Sequence, residues 1–360
     1  MKILHVIPES AIIPRFYYSG STKDILGRVE YFNARALGFE QVIVKRSDQS
    51  LLETLKSMQL EEFSVFVIEF PIYQKSMEFI RRKNPNAKIF TRSINAELYH
   101  KLHLFLSNFN GERNSGSGFL KSFHLHFPIL QKIRVKFKQD FKCGNLSDAL
   151  LSITDWETRY YWRYLIGDKA ETVPYYLPEE YSQEIRSVHA EKKNICVSFM
   201  GVKVNRGSFL SDSLDNFMHL VDLLMDDVKD WSFKVTGELP DDFTTLPSRI
   251  EATGFIDSPY PLLACARAVA ILSPYGMGFK TKILEAILAG CYVLLPSALL
   301  KRQPEAVKPF CIEVNLNSVT SFKRALNQCL EPFPAYDPNL VLKDEAFRAL
   351  DRLFDQVKSV

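Results

Sequence analysis

The feature that most constrains this chain is a strand-then-helix alternation that runs through it twice. In the first half, short apolar runs ("KILHVIP", "QVIVKR", "FSVFVIEFP", "AKIFTRS", "ALLSITD") alternate with segments of helical period ("TKDILGRVEYFNARALGF", "LLETLKSMQ", "QKSMEFIRRK"). A second series begins at "ICVSFMG" and continues through "SLDNFMHLVDLLMD", "WSFKVTG", "RIEATGF", "PYPLLACARA" and "VAILSPY". It closes on "YGMGFKTKILEAILAGCYVLLP", residues 275–296. Such alternation implies right-handed crossovers in a parallel sheet with helices on both faces. At 360 residues the chain also exceeds the size at which a single core stops growing. The expectation is an α/β protein of two Rossmann-like, doubly wound halves facing across a cleft, with ligands held beyond the carboxyl ends of the strands.

Composition removes several function classes. A net charge of +3, without a recognition-helix signature, basic arm or zinc-finger spacing, gives no reason to expect a nucleic-acid partner. The cysteines (Cys143, Cys196, Cys265, Cys291, Cys311, Cys329) contain no C-x-x-C pair, which points to a reduced, cytoplasmic protein. "MKILHVIPES" has too few apolar residues for a signal peptide. The run around "ILAGCYVLLPSALL" is short of a bilayer span and carries a glycine and a proline. Residues 119–142, "FLKSFHLHFPILQKIRVKFKQDFK", are aromatic and basic with Asp140 as the single acid. They read either as a solvated helix face covering the first half or as a peripheral contact with the inner face of a membrane. "SNFNGERNSGSG" reads as a loop and "EEYSQEIRSVHAEKKN" as a charged linker.

The chemistry concentrates where the last stretch turns into its helix. Unfilled N–H groups give a helix start roughly half a positive charge, so Lys280 and Lys282 sit where each costs about 0.3–1 kcal/mol. No acid lies between Asp257 and Glu285 to offset them, and Gly276 and Gly278 allow close backbone approach. The pattern asks for an anionic ligand; the alternative is a solvated helix start. Glu285 falls four residues after Thr281, one too far for a capping box. Lys23 does not complete a P-loop, because the G-x-x-x-x-G-K-[ST] order is absent. His100, His103, His124 and His126 lack an evident carboxylate partner and read as surface residues rather than metal ligands. Asp155 reads best as the cap of the helix "WETRYYWRYLIG".

"IEATGFIDSPYPLLACARAVAILSPYGMGFKTKILEAILAGCYVLLP" resembles the carboxy-terminal domain of the GT-B-fold retaining glycosyltransferases of family 4. The order is the same: a "TGF-x-D" segment, a short helix, a strand, and a glycine loop before "K-x-L-E-A-x-A-x-G". "FMGVKVNRG" is similar to that family's first donor-domain loop. "KILHVIP" with "YSGSTKD", and "FTRSINAE", resemble its acceptor domain more loosely.

The resemblance implies a GT-B fold with an acceptor-binding domain over residues 1–180, a linker at 181–193, a donor domain at 194–335, and a terminal helix at 336–360 crossing back to the first domain. It implies transfer of a sugar from a nucleotide diphosphate sugar to a glycan or lipid-linked acceptor in bacterial surface polysaccharide synthesis, with no cofactor and no metal. Arg206, Lys280 and Lys282 would clamp the leaving diphosphate. Gly201, Lys203, Phe255, Ile256, Gly276, Met277, Gly278, Phe279 and Thr281 would line the donor site, and Glu285 would accept hydrogen bonds from the ribose hydroxyls. Gly20, Arg92, Asn95 and Glu97 would meet the acceptor. Two positions depart from the pattern: Met277 stands where many relatives carry a second glutamate, and Ile94 where many carry a histidine. These departures keep two alternatives open, a nucleotide-sugar epimerase of the same fold and a catalytically silent sugar-nucleotide-binding subunit.

Overall fold

The computed structural model describes residues 1–11, 19–96, 98–99, 102, 105, 119–198, 209–224, 228–239, 246–274 and 279–358. Six parallel strands form the first sheet: β1 (Lys2–Pro8), β2 (Gly38–Val44), β3 (Val65–Glu69), β4 (Lys88–Ser93), β5 (Ala149–Ser152) and β6 (Ala170–Thr172), in the order β2-β1-β3-β4-β5-β6. Six more form the second: β7 (Lys193–Ser198), β8 (Ser232–Thr236), β9 (Ile250–Gly254), β10 (Ala266–Ala270), β11 (Tyr292–Leu295) and β12 (Cys311–Glu313), ordered β12-β11-β10-β7-β8-β9. Central strands are buried along their length, as β3 shows, because helices cover both faces. Each sheet reverses its winding once, between β1 and β3 and between β7 and β10. In doubly wound sheets these switch points open a crevice for ligands.

The helices that position the cleft are α1 (Gly20–Ala34), α2 (Asp48–Lys56), α3 (Gln74–Lys83), α4 (Phe119–Leu146), α5 (Glu179–Ser187), α6 (Phe209–Leu223), α7 (Tyr260–Cys265), α8 (Thr281–Leu288), α9 (Val319–Gln328) and α10 (Pro338–Lys358). Several boundaries differ from the sequence reading; the helix expected to run to Phe39, for one, ends at Ala34. The charged linker contains α5, because Tyr181 and Ile185, one turn apart, are buried while the charged positions face outward. The helix expected over "PYPLLACARA" stops at Cys265, and Ala266 already pairs with Lys193, the first residue of β7. The strand expected from Gln41 begins at Gly38, opposite Lys2.

The last helix returns to the first sheet. Phe354 of α10 packs edge-on to Phe90 of β4 and to Phe32 of α1, and Phe347 meets Tyr31. Asp351 accepts two hydrogen bonds from the Arg35 guanidinium, at 2.8 and 2.7 Å, and a third from the Tyr31 hydroxyl at 3.0 Å.

Candidate active site

Residues Ile283, Leu284, Ala286 and Ile287 make α8 a buried helix, and Gly290, at φ 78°, ends it. Its N-cap is Lys280, which offers no side-chain acceptor to the free N–H groups of the first turn. The first turn of α1 abuts this point: a Cβ built on Gly20 would lie 2.6 Å from the Thr281 hydroxyl oxygen. The switch-point end of the first sheet therefore meets that of the second, helix start against helix start.

Two buried charges bridge the junction. Lys23 Nζ of α1 lies 2.9 Å from Glu285 Oε2 of α8, with side chains 0% and 2% exposed. Aromatic rings wall the pair: the ammonium is 5.0 Å from the Tyr181 ring centroid and 5.9 Å from that of Tyr260, whose hydroxyl lies 3.4 Å away. Tyr175, just past β6, packs against Phe279 at 5.5 Å, and its buried hydroxyl has no hydrogen-bond partner among the described residues. Burial, and after it the charges of Glu285 and Asp24, push that hydroxyl's pKa well up.

The two lysines at the helix start both have their pKa values shifted downward. Burial pushes the Lys282 pKa down to about 8; Glu285 opposes the fall, and Lys23 and Lys280 add to it. Burial also lowers Lys280, against the support of Glu157 and with the repulsion of Arg302. Glu157 belongs to a helical turn after β5, where Thr154 accepts the Glu157 N–H at 3.2 Å and the Ala96 N–H donates to Glu157 Oε1 at 2.9 Å. Beside it the Arg302 guanidinium lies 4.5 Å from the Trp156 ring centroid. Cations of the second half thus face acids and aromatics of the first.

Beneath α1 lies a buried ionic network. The Arg92 guanidinium donates to both oxygens of Asp24, at 3.0 and 2.6 Å, and to the Val173 carbonyl at 2.6 Å. Arg28 donates to both oxygens of Glu69 at 2.5 Å, and His5 Nε2 is 2.8 Å from the same carboxylate. Burial alone would raise Asp24, but Arg28 and Arg92 outweigh it and hold the carboxyl well below the usual range. This network fixes the first turn of α1, and with it Gly20 and Lys23, at the cleft.

The sequence-assigned residues divide into three groups. Gly20, Phe279, Lys280, Thr281, Lys282 and Glu285 come together at the junction. Arg92 is buried in the Asp24 network, and Asn95 is half-buried with its carbonyl accepting from Ser93 Oγ at 3.0 Å. Phe255 and Ile256 follow edge strand β9, with Phe255 exposed. Glu97, Gly201, Lys203, Arg206, Gly276, Met277 and Gly278 lie outside the described residues, as do His100 and His103. Asp155 is exposed and pairs with Arg159; Thr154 is the cap. Sequence reasoning assigned no role to Glu157, Tyr175, Tyr181, Tyr260 and Arg302. Thr154-x-x-Glu157 is a capping-box spacing, so one helix start was marked, but no local pattern places it opposite Lys280.

No protein-family model matches the chain, and no curated protein matches it in sequence. Solved structures do match in shape. The sucrose-phosphate synthase of Thermosynechococcus elongatus superposes with a TM-score of 0.59 at 10% identity, covering 100% of this chain and 99% of that one. The Anabaena protein HepE, solved in complex with UDP and glucose, gives 0.57 at 10% identity, with 100% of both chains covered. A glycosyltransferase from Rickettsia africae gives 0.56 at 11% identity, with 99% and 98% covered. Two six-stranded parallel sheets joined at their switch-point ends, matched over the full length of these proteins, give this chain the GT-B fold.

Proposed function

We propose that this chain is a retaining glycosyltransferase of the family 4 type, which moves a sugar from a nucleoside diphosphate donor to a glycan or lipid-linked acceptor. The observation that carries the reading is the start of α8, which no side chain caps and where burial draws the pKa values of Lys280 and Lys282 down. A diphosphate there reverses that tendency and fills the free N–H groups. HepE, solved with UDP and glucose and with UDP-glucose, supports the same ligand class by likeness of fold.

In this reading the bond between the anomeric carbon and the diphosphate oxygen breaks as the acceptor oxygen bonds to that carbon on the same face. The acceptor's hydroxyl proton passes to the departing phosphate oxygen. Lys280 and Lys282 neutralise the charge that grows there, so the reading needs no divalent metal. Glu285 accepts from the ribose hydroxyls in this reading. The aromatic, basic face of α4 holds the first domain against an anionic membrane surface on the cytoplasmic side, where a lipid-linked acceptor of surface polysaccharide synthesis is presented.

The test is a thermal-shift panel of UDP, GDP, ADP and CMP with their common sugar conjugates, run with EDTA on the wild type and on Glu285→Gln. One diphosphate is expected to raise the wild-type Tm and to lose that effect in the variant. Absence of any shift in the wild type sinks the donor reading. A donor that raises the Tm but releases no free nucleotide with any acceptor tried favours a silent subunit instead.

A further inference from the structure

The helical segment after β5, residues 155–166, carries aromatic rings on both of its sides. Its inner side is Glu157, Thr158, Tyr161 and Trp162, all buried against the first domain. Its outer side is Trp156, Tyr160 and Tyr164, set at the i, i+4, i+8 positions where a surface helix ordinarily turns polar residues to water. Tyr160 is 51% exposed and Tyr164 82%, the most exposed of the large apolar side chains among the described residues. Exposed apolar residues scattered singly need no explanation, but a row of rings marks a surface that meets something.

The row starts at the cleft and is held in place there. The Trp156 ring lies 4.5 Å from the Arg302 guanidinium of the second domain and 5.5 Å from the Tyr160 ring. Tyr99 braces both from the side, its ring edge-on to Trp156 at 5.9 Å and its hydroxyl donating to the Tyr160 carbonyl at 3.2 Å. The turn between them, Thr158–Trp162, is π-helical, a form that recurs at functional sites. Rings four residues apart on a helix are displaced by about 6 Å along its axis, close to the advance of one sugar unit in an oligosaccharide.

The groups beside the rings favour a glycan over a lipid surface. Asp155 and Arg159, both exposed, pair at 2.8 Å next to Trp156 and Tyr160, and Arg163 is exposed one turn further on. A carboxylate there opposes an anionic membrane, and the row offers no aliphatic side chain to insert into one. A pyranose has an apolar face of C–H groups that lies flat on an aromatic ring, with hydroxyls at its rim for charged and phenolic neighbours. Tyrosines supply such a contact with little loss of side-chain freedom.

We propose that Tyr160 and Tyr164 stack successive sugar rings of the acceptor as it runs outward from the cleft past Trp156, so that the acceptor is an oligosaccharide rather than a single sugar or a bare lipid phosphate. The proposal rests on the transferase reading above for its reacting end, but binding to the platform is measurable without any donor.

The test probes a printed array of neutral and acidic oligosaccharides with the wild type, Tyr160→Ala with Tyr164→Ala, and Tyr160→Phe with Tyr164→Phe. Retained glycans and their single-sugar fragments are then titrated by calorimetry. The wild type is expected to retain glycans of several units and to bind their single sugars at least about tenfold more weakly. The alanine pair should lose about tenfold or more in affinity with its Tm unchanged, since both rings are exposed, while the phenylalanine pair keeps most of it because stacking needs the ring. A wild type that retains no glycan on the array, or an alanine pair that binds like the wild type, overturns the platform. Lost flotation with phosphatidylglycerol vesicles in the alanine pair, with glycan binding intact, overturns it in favour of a membrane contact. The nucleotide thermal-shift panel, repeated on the alanine pair, keeps the two readings apart. Lost glycan binding beside an intact diphosphate response supports the platform, and a wild type that retains glycans yet answers no diphosphate sinks the donor reading and the acceptor role with it.

Discussion

Gly20 and Thr281 touch because one of them has no side chain. A Cβ on Gly20 would stand 2.6 Å from Thr281 Oγ1 and 2.7 Å from its Cγ2, closer than real Cβ atoms come. Thr281 is short and β-branched at a helix start, so it has little freedom to give way. Gly20→Ala is therefore expected to wedge α1 from α8 with little change in Tm. Because catalysis is sensitive to misplacement of the order of 1 Å, turnover should fall by about tenfold or more. Thr281→Gly in the same molecule removes the three nearest of those atoms and should restore it. A single variant with full turnover would show that the two helix starts need not meet during the reaction.

Donor affinity should depend on pH through Lys282, whose pKa burial has pushed down to about 8. As pH rises through 8 the ammonium is lost and the diphosphate loses a counter-ion, so Kd for the donor nucleotide rises. In Lys282→Arg, which stays charged, the rise should vanish. Stability without donor should move in the opposite sense. The folded pKa lies below the ordinary lysine value of 10.5, so the unfolded chain holds a proton that the folded one has lost, and stability rises as pH climbs from 8 to 10.5. Calorimetric titrations and urea melts on both proteins, and melts on Lys282→Met, read the two slopes.

Arg92→Leu tests whether that residue acts through α1. It leaves a buried Asp24 with only Arg28 for a partner, and breaking a buried pair costs about 3–5 kcal/mol in urea unfolding at neutral pH. Asp24 has its folded pKa held down, so the stability it confers is present above the ordinary carboxylate range and is lost as pH falls. The gap between wild type and variant should therefore close below about pH 4. Arg92→Lys should not rescue, since one ammonium cannot reproduce the forked contact. A variant that unfolds normally yet loses acceptor affinity would assign Arg92 to the acceptor instead.

Exposed residues of α4 give the membrane proposal its test. Val135 (66% exposed), Phe137 and Phe141 stand among the exposed cations Arg134, Lys138 and Lys142. No described helix is long and apolar enough to cross a membrane, so contact would lie along the surface. Vesicles with phosphatidylglycerol should carry the protein upward in flotation, phosphatidylcholine vesicles should not, and Phe137→Glu with Lys138→Glu should abolish the effect. Equal recovery from both lipids would refute an electrostatic surface contact.

Periodicity made much of the fold legible, because a strand or helix buried on a fixed face must repeat its apolar residues. "QKSMEFIRRK" coincides with α3 and "KILHVIP" with β1. Helix ends were less legible. Both α1 and α8 close with the same long-range bond, Leu37 N to Phe32 O and Cys291 N to Ala286 O, each at 2.9 Å. At α8 the left-handed residue is Gly290, a readable signal; at α1 it is Ala36, at φ 49°, where no glycine announces the turn. Within the site, Lys280, Lys282 and Glu285 stood out because they conflict with local helix chemistry. Lys23, Tyr175 and Glu157 obey local rules and acquire meaning only from partners between about 110 and 260 residues away, a separation no period or motif encodes.

Helix α10 has a consequence for how the molecule is made. The first sheet leaves the ribosome early, yet the side of its core formed by Tyr31, Phe32 and Phe90 is covered by Phe347 and Phe354, which are translated after both sheets. Until then those aromatic rings stay open to water and to other nascent chains. The domain synthesised first is therefore the one completed last, and it is the natural client for chaperones during synthesis.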